Sequence, residues 1–237
     1  MGNLYPIRDS RIGVPPKFES FTLPLVHSIM CRFVDCRRGG GIASRLFEIS
    51  LRVALGKLPH KQLRVLIRDN LVLGEDPDTA KLIRELRQVR KRGHLTPSEL
   101  ENVCRWKSAR AIHHIKKNSA TRVRTATGRA LATQSERRRL EALMSLDGVS
   151  VAMASAILTL LNPRRYGVID IRVWQLLYGI RAVTKNPSGL GFTFTHWQQF
   201  LTIIRQFAEE FHVAARDIER SLFSAHQAYQ KGTLYSR

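Results

Sequence analysis

An all-α fold follows from three features of this 237-residue chain. From Ser44 onward, apolar residues recur at the three-to-four spacing of helices. Several of these segments open on a capping signal. No alternating apolar–polar run is long enough for a strand, since Val65–Ile67 and Leu71–Leu73 are too short. A hydrophobic share of 43% suits a globular chain rather than a disordered one.

Residues 1–41 carry Pro6, Pro15, Pro16 and Pro24, then Arg37-Arg38 and the glycines Gly39 to Gly41. That mixture predicts an irregular N-terminal arm with one apolar patch, Phe21 to Val34. Residues 42–237 are expected to form one helical domain. Leu46, Phe47, Ser50, Leu51 and Ala54 mark a first helix, and Leu63, Leu66 and Ile67 a second. Asp76-Pro77 starts another, through Leu82, Ile83, Leu86 and Val89, which Gly93 closes. Thr96-Pro97-Ser98-Glu99 is a capping box that launches a helix through Leu100, Val103 and Cys104 towards Trp106. Near the C-terminus, Thr195 with Gln198 resembles a second capping box, followed by Trp197, Phe200, Leu201, Ile204 and Phe207 on one face. Ile218, Leu222, Phe223 and Ala225 mark the last helix.

Charge points to the partner. Lys and Arg number 39 against 19 Asp and Glu, a formal +20 with a pI near 11. Nucleic acid is the first candidate for such a balance, because binding phosphates releases counterions. An anionic membrane surface is the second. From Asn102 to Ser135 there is no acid at all, while Arg105, Lys107, Arg110, Lys116, Lys117, Arg122, Arg124 and Arg129 all fall inside. That stretch is either a solvated basic face or a phosphate-contacting surface.

The start MGNLYPIRDS has no apolar signal core, and Pro6 stands where a myristoylation motif wants Ser or Thr. The longest apolar run, Val151 to Leu161, is too short for a bilayer. A cytoplasmic or nucleoid-associated monomer is expected. Cys31, Cys36 and Cys104 form no disulfide framework, and no second pair completes a zinc site, so no metal is expected.

The chain is organised around a helical hairpin, residues 136–161, and the loop 162–171 that follows it. Leu140, Leu143, Met144 and Leu146 give its first helix an apolar side, and Gly148 permits a sharp turn. Ser150 stands where an N-cap belongs, ahead of the small residues Ala152, Ala154, Ser155 and Ala156. Free N–H groups at such a helix start form an anion site. The same pattern equally fits an ordinary αα-hairpin.

Leu146-x-Gly148-Val149-Ser150-x3-Ala154, then Asn162-Pro163-Arg164-Arg165-Tyr166, then Val168-Ile169-Asp170-Ile171-Arg172-Val173, resembles the helix-hairpin-helix DNA glycosylase superfamily. That group includes endonuclease III, the adenine glycosylase and the alkylated-base glycosylases. Asp170 stands 22 positions after Gly148, which suits it, and the resemblance runs from about Trp106 to Gly179. It implies a two-lobed helical fold that binds double-stranded DNA across a cleft and flips a base into it. By position, Gly148, Val149 and Ser150 would hold a phosphate, with a candidate alkali ion at the turn, and Asp170 would be the catalytic carboxylate. A carboxylate there stabilises positive charge built on the sugar as the N-glycosidic bond breaks. Lys107, Arg110, Arg164, Arg165 and Arg172 are the remaining candidate DNA contacts. Trp106 and Trp174 are candidate base-stacking residues, although tryptophan at helical spacing also suits a core.

Departures from the family pattern narrow the chemistry. Ala152 occupies the position of the lysine that forms a Schiff base in bifunctional members, so hydrolysis without lyase activity is expected. Asp147 replaces the usual proline and puts a negative charge beside the phosphate grip. No four-cysteine iron–sulfur loop follows residue 104, so no such cluster is expected. Asp170 also fits a plain helix N-cap. The leading reading is a monofunctional DNA glycosylase acting on a modified or mismatched base. A DNA-binding module without chemistry, and an RNA-binding helical protein, are the alternatives.

Overall fold

A computed structural model describes residues 62–229. The N-terminal arm, the helix expected over Leu46–Ala54, and Cys31 and Cys36 lie outside the described residues. Within them the chain is all-α, with no strand. The order is α1 (Leu63–Asp69), α2 (Pro77–Glu85), α3 (Arg87–Arg92), α4 (Pro97–Ser108), a 3-10 turn (Ala109–Ala111), α5 (Ile112–Ile115) and α6 (Ala120–Ala132). It continues with α7 (Glu136–Met144), α8 (Val151–Leu161), α9 (Ile171–Gly179), α10 (Phe194–Glu210) and α11 (Ala215–Tyr229). No helix among the described residues is long and apolar enough to cross a membrane.

The helix starts obey local chemistry. Asp76 Oδ1 accepts from the Thr79 N–H at 2.9 Å, with Pro77 in the first turn of α2. Thr96 Oγ1 accepts from the Glu99 N–H while Glu99 Oε2 accepts from the Thr96 N–H, so both halves of that capping box form. Each side-chain cap is worth about 1 kcal/mol. The helix expected through Val89 breaks at Leu86 into α2 and α3, and Gly93 ends it in the left-handed region at φ +79°.

One capping expectation was displaced. The second box lies at Thr193 and His196, and Thr195 is an interior residue of α10. Thr193 has the extended backbone of an N-cap, and His196 Nδ1 accepts from its N–H at 3.1 Å. Imidazole thus fills the role that Gln198 was expected to play.

Helix α8 is the hub. It packs against α2, α3, α4 and α7, and every residue from Val151 to Leu161 except Ala152 is buried. Its small residues let those neighbours approach, and its large ones fill the core at about 1.5–3 kcal/mol each. Arg90 closes the far end, donating from Nε (2.9 Å) and Nη2 (2.6 Å) to the free carbonyl of Leu161. Helix α11 packs against α1, α9 and α10. Gly167 makes its approach to the loop before α9 possible, because a Cβ there would lie 2.8 Å from Glu219 Cβ and 2.9 Å from Ile204 Cδ1.

Candidate functional site

The hairpin turn is braced from outside. Asn118, 7% exposed, donates from Nδ2 to the Asp147 carbonyl (3.0 Å) and accepts from the Asp147 N–H at Oδ1 (2.9 Å). Arg122 donates to Asp147 Oδ2 (2.8 Å) and to the Ser145 carbonyl (2.7 Å). The negative charge expected to trouble an anion at this turn is therefore neutralised by Arg122. Gly148 has φ +79°, and a Cβ on it would lie 2.8 Å from His114 Cβ. The Ser150 hydroxyl accepts from the Met153 N–H at 3.3 Å, as an N-cap should. Of the three residues expected to grip phosphate, Val149 differs, because its N–H is engaged by the Leu146 carbonyl at 3.2 Å. The N–H groups of Gly148 and Ser150 have no acceptor among the described residues. Lys116 and Lys117, next to the His114–Ile115 segment that packs on Gly148, are exposed, as are Arg110 and Arg124 in the same basic stretch.

Asp170 sits in a cleft between the start of α9, the end of α4 and α11. Ser155 on α8 places the loop, its hydroxyl accepting from the buried Ile169 N–H at 3.1 Å. Asp170 then caps α9, Oδ1 accepting from the Val173 N–H at 3.0 Å. Its other oxygen, Oδ2, lies 3.6 Å from Lys107 Nζ, and the two side chains are 19% and 20% exposed. The cap reading and the functional reading of Asp170 coexist, because they use different oxygens. Lys107, expected on phosphate, instead reaches into this cleft.

The cavity in front of the pair holds about 630 Å³. Trp106, Thr79, Arg172 and Phe223 line it beside Asp170 and Lys107, together with Arg216, Glu219 and Arg220 of α11. Trp106 is anchored by Nε1 donating to Thr79 Oγ1 at 2.8 Å, and the Arg216 guanidinium lies 5.4 Å over its ring. Arg172 stacks 5.7 Å over Phe223. The α11 wall is an ionic network: Arg216 donates to Glu75 Oε1 at 2.6 Å and to Glu219, and Arg220 lies 3.6 Å from Glu75. Complete burial pushes the Glu219 carboxyl above the ordinary glutamate value against the pull of Arg216, and the nearby Asp170 charge pushes it further up. His226, 1% exposed, has no hydrogen-bond partner on either ring nitrogen. Burial, with the Arg172 charge, pushes its pKa down to about 4.

Comparison with known protein families, curated proteins and solved structures gives no match.

Two expected site residues fall elsewhere. Trp174 is fully buried, donates from Nε1 to the Asn186 carbonyl at 2.8 Å, and packs edge-on against Phe192 and His196. It is a core residue and not a stacking platform, because no face of its ring reaches solvent. Arg165 lies away from Asp170 and binds Glu136, donating from Nη2 at 2.9 Å. Glu136 also accepts from Arg205 (2.8 Å) and from the Tyr166 hydroxyl (3.0 Å), which makes Arg165 part of a structural cluster. Arg164 is exposed nearby. Among the described residues no group of three or more His, Cys, Asp or Glu is placed to hold a metal ion.

Several cleft residues carried no individual sequence signal. The apolar stripe of α11 dominates its sequence pattern and masks Arg216, Glu219 and Arg220. Their own spacing with Phe223 and Gln227 (216, 219, 220, 223, 227) is a second helical stripe, and a search for polar periodicity would have raised it. Asn118 had no local signal, since its partner lies 29 residues away.

Proposed function

We propose that this chain is a DNA glycosylase of the helix-hairpin-helix kind, which hydrolyses the N-glycosidic bond of a base flipped out of double-stranded DNA. One observation carries the reading. A carboxylate pinned at a helix start by one oxygen presents the other to a cavity of about 630 Å³ walled on one side by Trp106. In this reading Asp170 steadies the positive charge that grows on the sugar, or directs water at C1′. Gly148 and Ser150 hold a phosphate through N–H groups at the start of α8. Arg110, Arg164 and Arg172 add charge, and Trp106 stacks on the flipped base. Ala152 places no amine at the hairpin, so base release without strand cleavage is proposed there. The bound partner is duplex DNA taken by a monomer, in a two-lobed arrangement of these helices.

The test is base release from duplexes carrying single modified or mismatched bases, followed as alkali-labile sites. Wild type is expected to release at least one base. Asp170→Asn keeps an N-cap of similar strength and is expected to lose release by about 100-fold or more while still binding DNA. Equal release by the variant would overturn the role of Asp170. Salt-dependent binding with no release across the panel would leave a DNA-binding module.

A further inference from the structure

The Lys107–Asp170 pair is incompletely satisfied in a way that specifies what enters between them. Lys107 carries three N–H donors on a side chain four-fifths buried, yet it makes no hydrogen bond among the described residues, and its nearest carboxylate oxygen is 3.6 Å away. Asp170 Oδ2 likewise accepts no hydrogen bond there, since Val173 uses Oδ1. Of the other cations lining the cavity, Arg216 is engaged by Glu75 and Glu219, Arg172 stacks over Phe223, and Arg220 lies 3.6 Å from Glu75 on the α11 wall with its Nη1 unpartnered, so Lys107 is the cation paired with the Asp170 carboxylate. A partly buried ammonium with idle donors and a carboxylate oxygen with idle lone pairs therefore face one cavity beside Trp106.

We infer that Lys107 is the proton donor to the departing base, and that the base is electrically neutral and presents an acceptor oxygen or nitrogen, as oxidised, deaminated or mispaired bases do. This rests on the glycosylase reading of the same cleft. A neutral base takes the electrons of the broken C1′–N bond and leaves as an anion, which needs a proton. A base made cationic by alkylation leaves neutral, has no use for the donor, and is repelled by the ammonium. Repulsion of that kind is stronger in a partly desolvated cavity than in water.

The protons balance around the pair. Water adds its oxygen to C1′ and gives a proton to Asp170 Oδ2. The C1′–N electrons pass to the base, which takes a proton from Lys107. Neutral amine and carboxylic acid then stand 3.6 Å apart, and the acid returns its proton to the amine. The net reaction consumes one water and restores the ion pair. No further reactant is needed.

The experiment uses one duplex sequence with a central 8-oxoguanine, uracil or 7-methylguanine, and compares the full-length chain with Lys107→Met and Lys107→Arg. Affinity and single-turnover release are read in parallel, with thermal melting to confirm folding. Wild type should release a neutral base in preference to 7-methylguanine. Lys107→Met should slow that release about 100-fold with little change in affinity, the range expected for a lost general acid. Lys107→Arg, which keeps charge but does not surrender a proton, should remain slow. Release of 7-methylguanine as fast as any neutral base, or Lys107→Met within about threefold of wild type, would overturn the assignment and leave the glycosylase reading intact. If no base is released from any duplex, the proton-donor assignment and the hydrolytic reading fall together.

Discussion

Replacing Gly148 with alanine separates the fold of the hairpin from its use. The new Cβ would lie 2.8 Å from His114 Cβ and 3.2 Å from the Ile115 nitrogen, at φ +79°. Left-handed backbone costs a non-glycine residue roughly 1–2 kcal/mol, and overpacking adds roughly 1–3 kcal/mol. The sum, about 2–5 kcal/mol, is a large part of a domain stability of about 5–15 kcal/mol. Gly93 supplies the control, because it has the same φ of +79° but nothing within 4 Å of its added Cβ. Gly93→Ala should therefore cost only the backbone portion, about 1–2 kcal/mol. Urea unfolding of both variants gives the difference, read from midpoints at constant slope. DNA affinity at a fixed salt concentration is the second assay: loss of the N–H grip weakens binding, while the salt slope, which counts Lys and Arg contacts, stays near its wild-type value. Equal destabilisation by the two alanines would refute the close approach of the turn to α5. A destabilised but folded Gly148→Ala with unchanged DNA affinity would refute phosphate binding at the turn while leaving its packing intact.

Three other outcomes follow from the same geometry. DNA binding should alter the emission of Trp106 but not of Trp174 or Trp197, which are fully buried, so Trp106→Phe should abolish the DNA-dependent signal and Trp174→Phe should preserve it. His226 has a folded pKa of about 4 against an ordinary 6.5, so its contribution to stability is complete above 6.5 and is lost as pH falls from 6.5 through 4. His226→Leu should flatten the stability–pH curve across that window by roughly 2–3 kcal/mol, and an unchanged slope in urea melts would count against its burial as a neutral ring. Burial alone would raise the Glu136 pKa, but hydrogen bonds from Arg165 and Arg205 hold it below the ordinary 4.5. Its contribution is full above that value and fades as pH falls below it, so Glu136→Gln should cost stability at neutral pH and lose progressively less in acid.

Trp106 and Trp174 illustrate where reading the chain alone stops. Both are tryptophans at helical spacing, and both were reasonable platforms for a flipped base. Burial separated them: the 174 ring is enclosed by residues 186, 192 and 196, whereas the 106 ring lines the cavity. Thr193 and Thr195 show the same limit at short range, since both are competent caps and histidine replaced the usual Glu or Gln at the third position.

The all-α class, the hairpin, and the caps at Asp76, Thr96, Ser150 and Asp170 were legible in the sequence. Each depends on residues within about one helical turn of one another. The opposition of Lys107 and Asp170, the bracing of Asp147 by Asn118 and Arg122, and the α11 wall of Arg216, Glu219 and Arg220 belong to tertiary structure alone. Those partners lie tens of residues apart, or on a helix face that its own periodicity leaves ambiguous. What brings them together is the packing of whole helices around α8 and α11, which no local propensity encodes.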